Sequence, residues 1–122
     1  MKLAVYGTLR KNQGNDRCLS TSEYLGTTRI DGFQMVSLGG YPAVDRSKQG
    51  SITVEVYEAS PEDVERCNWL EGYDPEHPED SYYGRLTINT PFGEAEIYTM
   101  NGILEEDHYG IIESGDWTSR KR

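Results

Sequence analysis

Positive charge is scarce in this chain: 12 Lys and Arg stand against 21 Asp and Glu, a formal net charge of -9. Phosphate backbones are bound through Lys and Arg, so this balance argues against nucleic acid and disfavours an anionic membrane surface. The one dense basic run, Arg120-Lys121-Arg122, lies at a terminus that is expected to fray. Cysteine is nearly absent. Cys18 and Cys67 are far apart and join no CxxC or Cys/His cluster, so reduced buried thiols are expected. Long apolar runs are missing too. Met1-Lys2-Leu3-Ala4-Val5-Tyr6-Gly7 runs out of apolar residues too soon for a signal peptide, and no stretch approaches a membrane span. A soluble, cytoplasmic protein is the expectation. No GxSxG serine elbow occurs. No internal repeat or low-complexity linker breaks the 122 residues, which are expected to form one domain over 1–122.

What the chain has is tyrosine, 9 of them against 2 Phe and 2 Trp. Tyr packs its ring and still offers a hydroxyl, which suits a small barrel or a polar pocket as well as plain strand formation. Turn residues cut the chain into short strands: Leu3–Tyr6, Glu23–Ile30 with Gly26 inside it, Phe33–Leu38, Ser51–Glu58, Tyr82–Thr90 and Glu94–Met100, with Ala43 and Val44 as a further short piece. Asp31-Gly32 and Gly39-Gly40 read as turns, and Pro91-Phe92-Gly93 as a hairpin. In Ser51–Glu58, Ile52, Val54 and Val56 alternate with Thr53, Glu55 and Tyr57, the pattern of a strand with one buried face. A short helical turn fits Asp16–Ser20, and the tail from Asn101 reads as irregular.

One helix is clear. Ser60 suits an N-cap, Pro61 the first helical position, and Glu62 and Asp63 the positive end of the dipole. Val64, Cys67 and Leu70 predict a narrow buried stripe, and Gly72 a left-handed stop. Glu71 is thereby left in the last turn, where the dipole disfavours a carboxylate and Trp69, Leu70 and Tyr73 offer desolvation. Both push its pKa up, toward a group that exchanges protons near neutrality. Helix chemistry by itself is better met by a solvated last-turn residue beside a glycine cap. The sum is an α+β fold: a small mixed β-barrel or strongly curled sheet, one main helix on its side, and short peripheral helical segments.

A second stretch, Tyr6-Gly7-Thr8-Leu9-Arg10, follows the first strand. A glycine there lets the chain turn and present successive N–H groups as a nest for a carboxylate or oxyanion, with the Thr8 hydroxyl and the Arg10 charge nearby. An ordinary strand-ending turn has the same sequence.

Taken with Gly39-Gly40-Tyr41-Pro42-Ala43, Glu55-Val56-Tyr57-Glu58, Leu70-Glu71-Gly72-Tyr73, Tyr83-Gly84-Arg85 and Gly115-Asp116-Trp117 in the same order, this stretch resembles the YG[ST]L signature of the γ-glutamylcyclotransferase-like superfamily. That group includes the γ-glutamylamine cyclotransferases and AIG2-like proteins. The resemblance implies a mixed β-barrel with peripheral helices. It also implies release of 5-oxoproline from a small γ-glutamyl substrate, as the free α-amine attacks its own γ-carbonyl. Glu71 inherits the general acid/base role, and Tyr6, Gly7, Thr8 and Leu9 inherit the cradling of the glutamyl part; no cofactor and no metal are implied. Two positions depart from the family pattern. Cys67-Asn68 stands where Leu-Asp is frequent, and Val54 where Gly often precedes the Glu-Val-Tyr strand, which hints at a remodelled pocket. The rival reading is a non-catalytic binding module of the same fold that holds a small glutamyl-like ligand.

Metal ligation is the weaker use of the remaining carboxylates. Asp74, Glu76, His77, Glu79 and Asp80 share a run with two prolines and one His, and Glu105, Glu106, Asp107 and His108 are no better provided; both read as solvated loops.

Overall fold

The computed structural model describes residues 1–11, 13–14, 16–77, 83–100 and 110–119. Five strands form one sheet: β1 (Lys2–Val5), β2 (Glu23–Ser37), β3 (Pro42–Glu58), β4 (Gly84–Thr90) and β5 (Gly93–Thr99). Helix α1 (Pro61–Glu71) lies between β3 and β4 in the chain. The spatial order is β2-β3-β1-β5-β4. β1 pairs antiparallel with β3 and parallel with β5, whereas β2–β3 and β4–β5 are antiparallel. The acidic loop from 78 onward, the tail over 101–109 and the basic terminus lie outside the described residues. So do Glu79, Asp80 and the Glu105–His108 run, while the first residue of the expected Tyr82–Thr90 strand is likewise outside.

The two early strand pairs predicted as separate pieces are continuous. Asp31-Gly32 is not a turn; β2 runs through it with a shift of register between Asp31 and Phe33, and a second shift lies between Tyr24 and Gly26. Asp31 pairs with Ser51 but Phe33 with Arg46, so β3 carries extra residues there and bends. Gly50 permits the bend, because a Cβ at that position would lie 1.9 Å from the Phe33 carbonyl oxygen. The first half of β3 is thereby turned back, and the Met100 amide beyond β5 reaches the Val44 carbonyl at 3.0 Å. That bond curls the sheet into a half-barrel past the short β1.

Ala4, Val44, Ile52, Val54, Val56, Ile97 and Trp117 fill the inside of the curl. Leu3, Val5, Leu9, Tyr57, Cys67 and Tyr98 form a second cluster that includes α1. The alternation predicted for β3 holds, but both of its faces are covered: Thr53 and Glu55 are buried along with the valines. As the sheet's second strand, β3 has pairing partners on either side, and Arg10 closes over its polar face. No described helix is long and apolar enough to cross a membrane.

Candidate active site

Helix α1 delivers its last residue inward. Ser60 caps the start, its hydroxyl accepting the Asp63 amide at 3.2 Å, and Pro61 occupies the first turn. At the far end Gly72 is left-handed (φ 66°, ψ 33°). Its amide donates to the Trp69 carbonyl at 3.2 Å and the Tyr73 amide to the Asn68 carbonyl at 2.8 Å, a paired closure of the Schellman type. The buried stripe differs from expectation. Cys67 is fully buried and Val64 half-buried, but Leu70 is 39% exposed. Residues i, i+3 and i+7 share a helix face, so the line through Val64 and Cys67 continues onto Glu71, with Leu70 at its border.

Glu71 lines a cavity of about 460 Å3 whose walls also include Tyr6, Gly7, Thr8 and Leu9. The structure thus brings together all five site candidates. Pro42, Tyr83 and Tyr98 complete the inner wall. Burial pushes the Glu71 carboxyl up to about 7. The helix-neighbour explanation offered from sequence does not hold for Trp69, which is 85% exposed and can shield little. Tyr6, Tyr83 and Tyr98, each at most 7% exposed, share the cavity wall with Glu71. Burial raises the pKa of the Tyr6 and Tyr98 hydroxyls as well, and the charges of Tyr83 and Glu71 add to the effect on Tyr6.

The turn after β1 is closed by the Arg10 amide donating to the Gly7 carbonyl at 2.9 Å, which sets Thr8 and Leu9 at its tip. Gly7 is needed for proximity. A Cβ there would sit 2.6 Å from Pro42 Cγ, so only glycine lets the turn lie against the proline. Tyr6 contributes its ring to the wall, but its hydroxyl is spent on the Tyr98 carbonyl at 2.8 Å.

Arg10 does not serve the cavity. It is 6% exposed, donates from Nε to Glu55 Oε2 at 2.8 Å and from Nη1 to Asp116 Oδ1 at 2.7 Å. Glu55 Oε1 also accepts from the Lys11 amide and the Tyr57 hydroxyl, and Asp116 Oδ1 from Thr118. Three of the sequence motifs, YGTLR, EVYE and GDW, are therefore joined by one ionic network beneath the turn. Val54 is wholly buried and absent from the cavity wall, so its departure from the family pattern does not remodel the pocket directly. Asn68 links β5 and β4 to the helix, since its Oδ1 accepts from the Tyr98 hydroxyl at 2.6 Å and from Arg85 Nη1 at 2.9 Å. Arg85 in turn lies 4.7 Å from the Tyr73 ring centroid.

Sequence reasoning missed Tyr98 and gave no role to Tyr41, Pro42 or Tyr83. Pro42 and Tyr83 stood inside family-like motifs, whereas Tyr98 falls on the Glu94 and Glu96 side of β5, opposite the inward Ala95 and Ile97, where alternation gave no signal. Thiol chemistry finds no support in either cysteine, since burial raises Cys18 and pushes Cys67 up to about 12.

The fold and site together define a class: a curled α+β half-barrel whose helix ends in a half-buried, readily protonated carboxyl on the same cavity as a glycine turn. Within that class the chain belongs to the gamma-glutamyl cyclotransferase, AIG2-like family, whose model matches residues 3–119. It is 34% identical over 122 residues, all of both chains, to the gamma-glutamylcyclotransferase family protein YtfP of Escherichia coli. The crystal structure of an uncharacterized protein from Pyrococcus horikoshii matches with TM-score 0.77 and 30% identity, over 96% of this chain and 89% of that one. An AIG2-like mouse protein, at 19% identity and TM-score 0.69 over 89% and 87%, shares the fold.

Proposed function

We propose that the protein is a cyclotransferase that converts a γ-glutamyl amine or γ-glutamyl amino acid into 5-oxoproline and the free amine. Glu71 is its general acid and base. Tyr6, Gly7, Thr8 and Leu9 hold the glutamyl part, with the Gly7–Leu9 amides facing the oxyanion. The supporting observation is a single one: a carboxyl with a pKa of about 7 lines the same cavity as that turn.

The chemistry asks for little more. Ring closure is intramolecular, so the protein mainly has to hold a folded conformer of the substrate. The Glu71 carboxylate takes a proton from the α-ammonium, the freed nitrogen attacks the γ-carbonyl carbon, and a tetrahedral oxyanion forms. Its collapse breaks the bond to the departing nitrogen as the Glu71 carboxyl returns the proton. Over the whole turnover the attacking nitrogen gives up two protons and the departing nitrogen gains two. One side chain therefore ends as it began, and neither a metal nor a covalent intermediate is required. A pKa near the working pH lets one group serve in both directions.

Purified protein is expected to release 5-oxoproline from members of a γ-glutamyl panel, and Glu71→Gln to lower kcat by ~10²–10⁴-fold without unfolding the chain. Full activity in that variant would remove Glu71 from the mechanism. Binding without turnover across the panel would leave a ligand-holding module.

A further inference from the structure

Glu71 is the last residue of α1, and apolar packing gives that turn little hold. Cys67 is fully buried, but Trp69 is 85% exposed and Leu70 39%. Helix ends fray where nothing restrains them. Gly72 closes the backbone, yet a cap ties the helix end only to itself. Fixing the last turn relative to the cavity takes a bond to another element.

Asn68, one turn before Glu71, makes such bonds. Its Oδ1 receives the Tyr98 hydroxyl of β5 at 2.6 Å and Arg85 Nη1 of β4 at 2.9 Å, which uses both lone pairs of an amide oxygen. Its backbone carbonyl accepts the Tyr73 amide at 2.8 Å. The donors are themselves held. Arg85 lies on the Tyr73 ring and 3.3 Å from Glu96 Oε1, and the Tyr73 and Tyr98 rings meet edge to face with centroids 6.1 Å apart. Tyr98 is 2% exposed and forms part of the wall of the Glu71 cavity. One residue therefore bounds the cavity and bonds the helix that delivers the acid. Removing the acceptor would strand a buried hydroxyl and a charged donor, and release the last turn from both strands.

Proton transfer depends on placement: a shift of about 1 Å near a catalytic group can lower turnover ~10²-fold. Resting on the cyclotransferase reading, we infer that Asn68 is the positioning residue of Glu71: its side-chain oxygen pins the end of α1 to β4 and β5 and so sets where the carboxyl stands in the cavity. Asn68 does not line that cavity itself and acts through Glu71. The turn that holds the glutamyl part is fixed separately, by the Arg10 network, so loss of the Asn68 bonds should appear in kcat and not in KM.

Asn68→Leu keeps a side chain branched at Cγ and removes the acceptor. With a γ-glutamyl amide that the unaltered protein turns over, kcat is expected to fall by ~10–100-fold, with KM within about 2-fold. Asn68→Asp returns an oxygen to both donors and should recover kcat to within about 3-fold, measured at about pH 9, where Glu71 is ionised. Tyr98→Phe removes one of the bonds; it should lower kcat by ~3-fold or more by itself and change nothing further in Asn68→Leu. Amide hydrogen exchange reads the same anchor without turnover. Gly72 and Tyr73 should lose ~10-fold or more of their protection in Asn68→Leu, while Val64, whose amide bonds Ser60 at the other end of the helix, keeps its own. An undiminished kcat in Asn68→Leu, an equal loss in Asn68→Asp, or unchanged exchange at Gly72 and Tyr73 overturns the positioning role and leaves the cyclotransferase reading intact. Should Asn68→Leu fail to fold, Tyr98→Phe decides, and an unchanged kcat there overturns the role. No 5-oxoproline from the unaltered protein overturns the catalytic reading and the positioning role together, even where the exchange responds.

Discussion

Glu71 carries a cost that can be read in stability. Its carboxyl sits at about 7 in the folded chain against 4.5 for the ordinary group. Between those two values the native state binds more protons than the unfolded one, so stability falls as pH rises through that window and levels off above it. Glu71→Gln removes the penalty. The variant is expected to match the parent near pH 4 and to exceed it by ~1–3 kcal/mol at pH 8, read by urea denaturation at both values. A stability gain paired with an activity loss is the signature of a group held against its preference for function. The residue's place at a helix end was legible from Ser60, Pro61 and Gly72. The cavity it lines was not, because Tyr6, Tyr83 and Tyr98 come to that wall from segments that no local pattern links to α1.

Helix α1 is anchored at its other end by Asp63, a carboxylate with no exposed surface. Burial by itself would raise its pKa, but hydrogen bonds from Ser22, Arg66 and Thr21 outweigh that and hold it below the usual range. Thr21 donates its amide at 2.9 Å and Ser22 its hydroxyl at 2.6 Å, while the Ser22 hydroxyl also accepts the Ser60 amide. Asp63→Ala leaves these donors unmatched and is expected to cost ~2–4 kcal/mol at pH 7 in a denaturant titration. The difference should shrink as pH falls through the folded pKa, where the parent loses the same interaction. From sequence, Asp63 was an acid at the positive end of the helix dipole and nothing more. Its buried role depends on the loop at 21–22, which contributes donors that a helix motif cannot announce. Similarly, alternation in Ser51–Glu58 predicted one wet face on β3; the Glu55 carboxylate is dry because Arg10 neutralises it.

At the scale of the molecule, the Arg10 network ties the turn after β1, the middle of β3 and the segment around Asp116 into one piece. Breaking a buried pair leaves its partner charged and unsolvated, so Arg10→Met is expected to destabilise the fold by ~3–5 kcal/mol. Adding Glu55→Met should recover part of that loss, a coupling that a double-mutant cycle would measure. The strand segments were largely legible, yet their number and order were not. Gly32 and Gly50 look like breaks but permit a bulged bend inside β2–β3, and the parallel pairing of β1 with β5 leaves no trace in periodicity. The meeting of Glu71 with Gly7–Leu9 came from family resemblance, since contacts across that much chain are set by tertiary packing.

The pH dependence of kcat/KM for a γ-glutamyl amide bears most directly on the proton-carrying role of Glu71. The ascending limb should have its midpoint at about 7, the pKa set by burial of that carboxyl, and should be missing from the residual activity of Glu71→Gln. A midpoint near 4.5, or the same limb surviving in Glu71→Gln, would contradict the account.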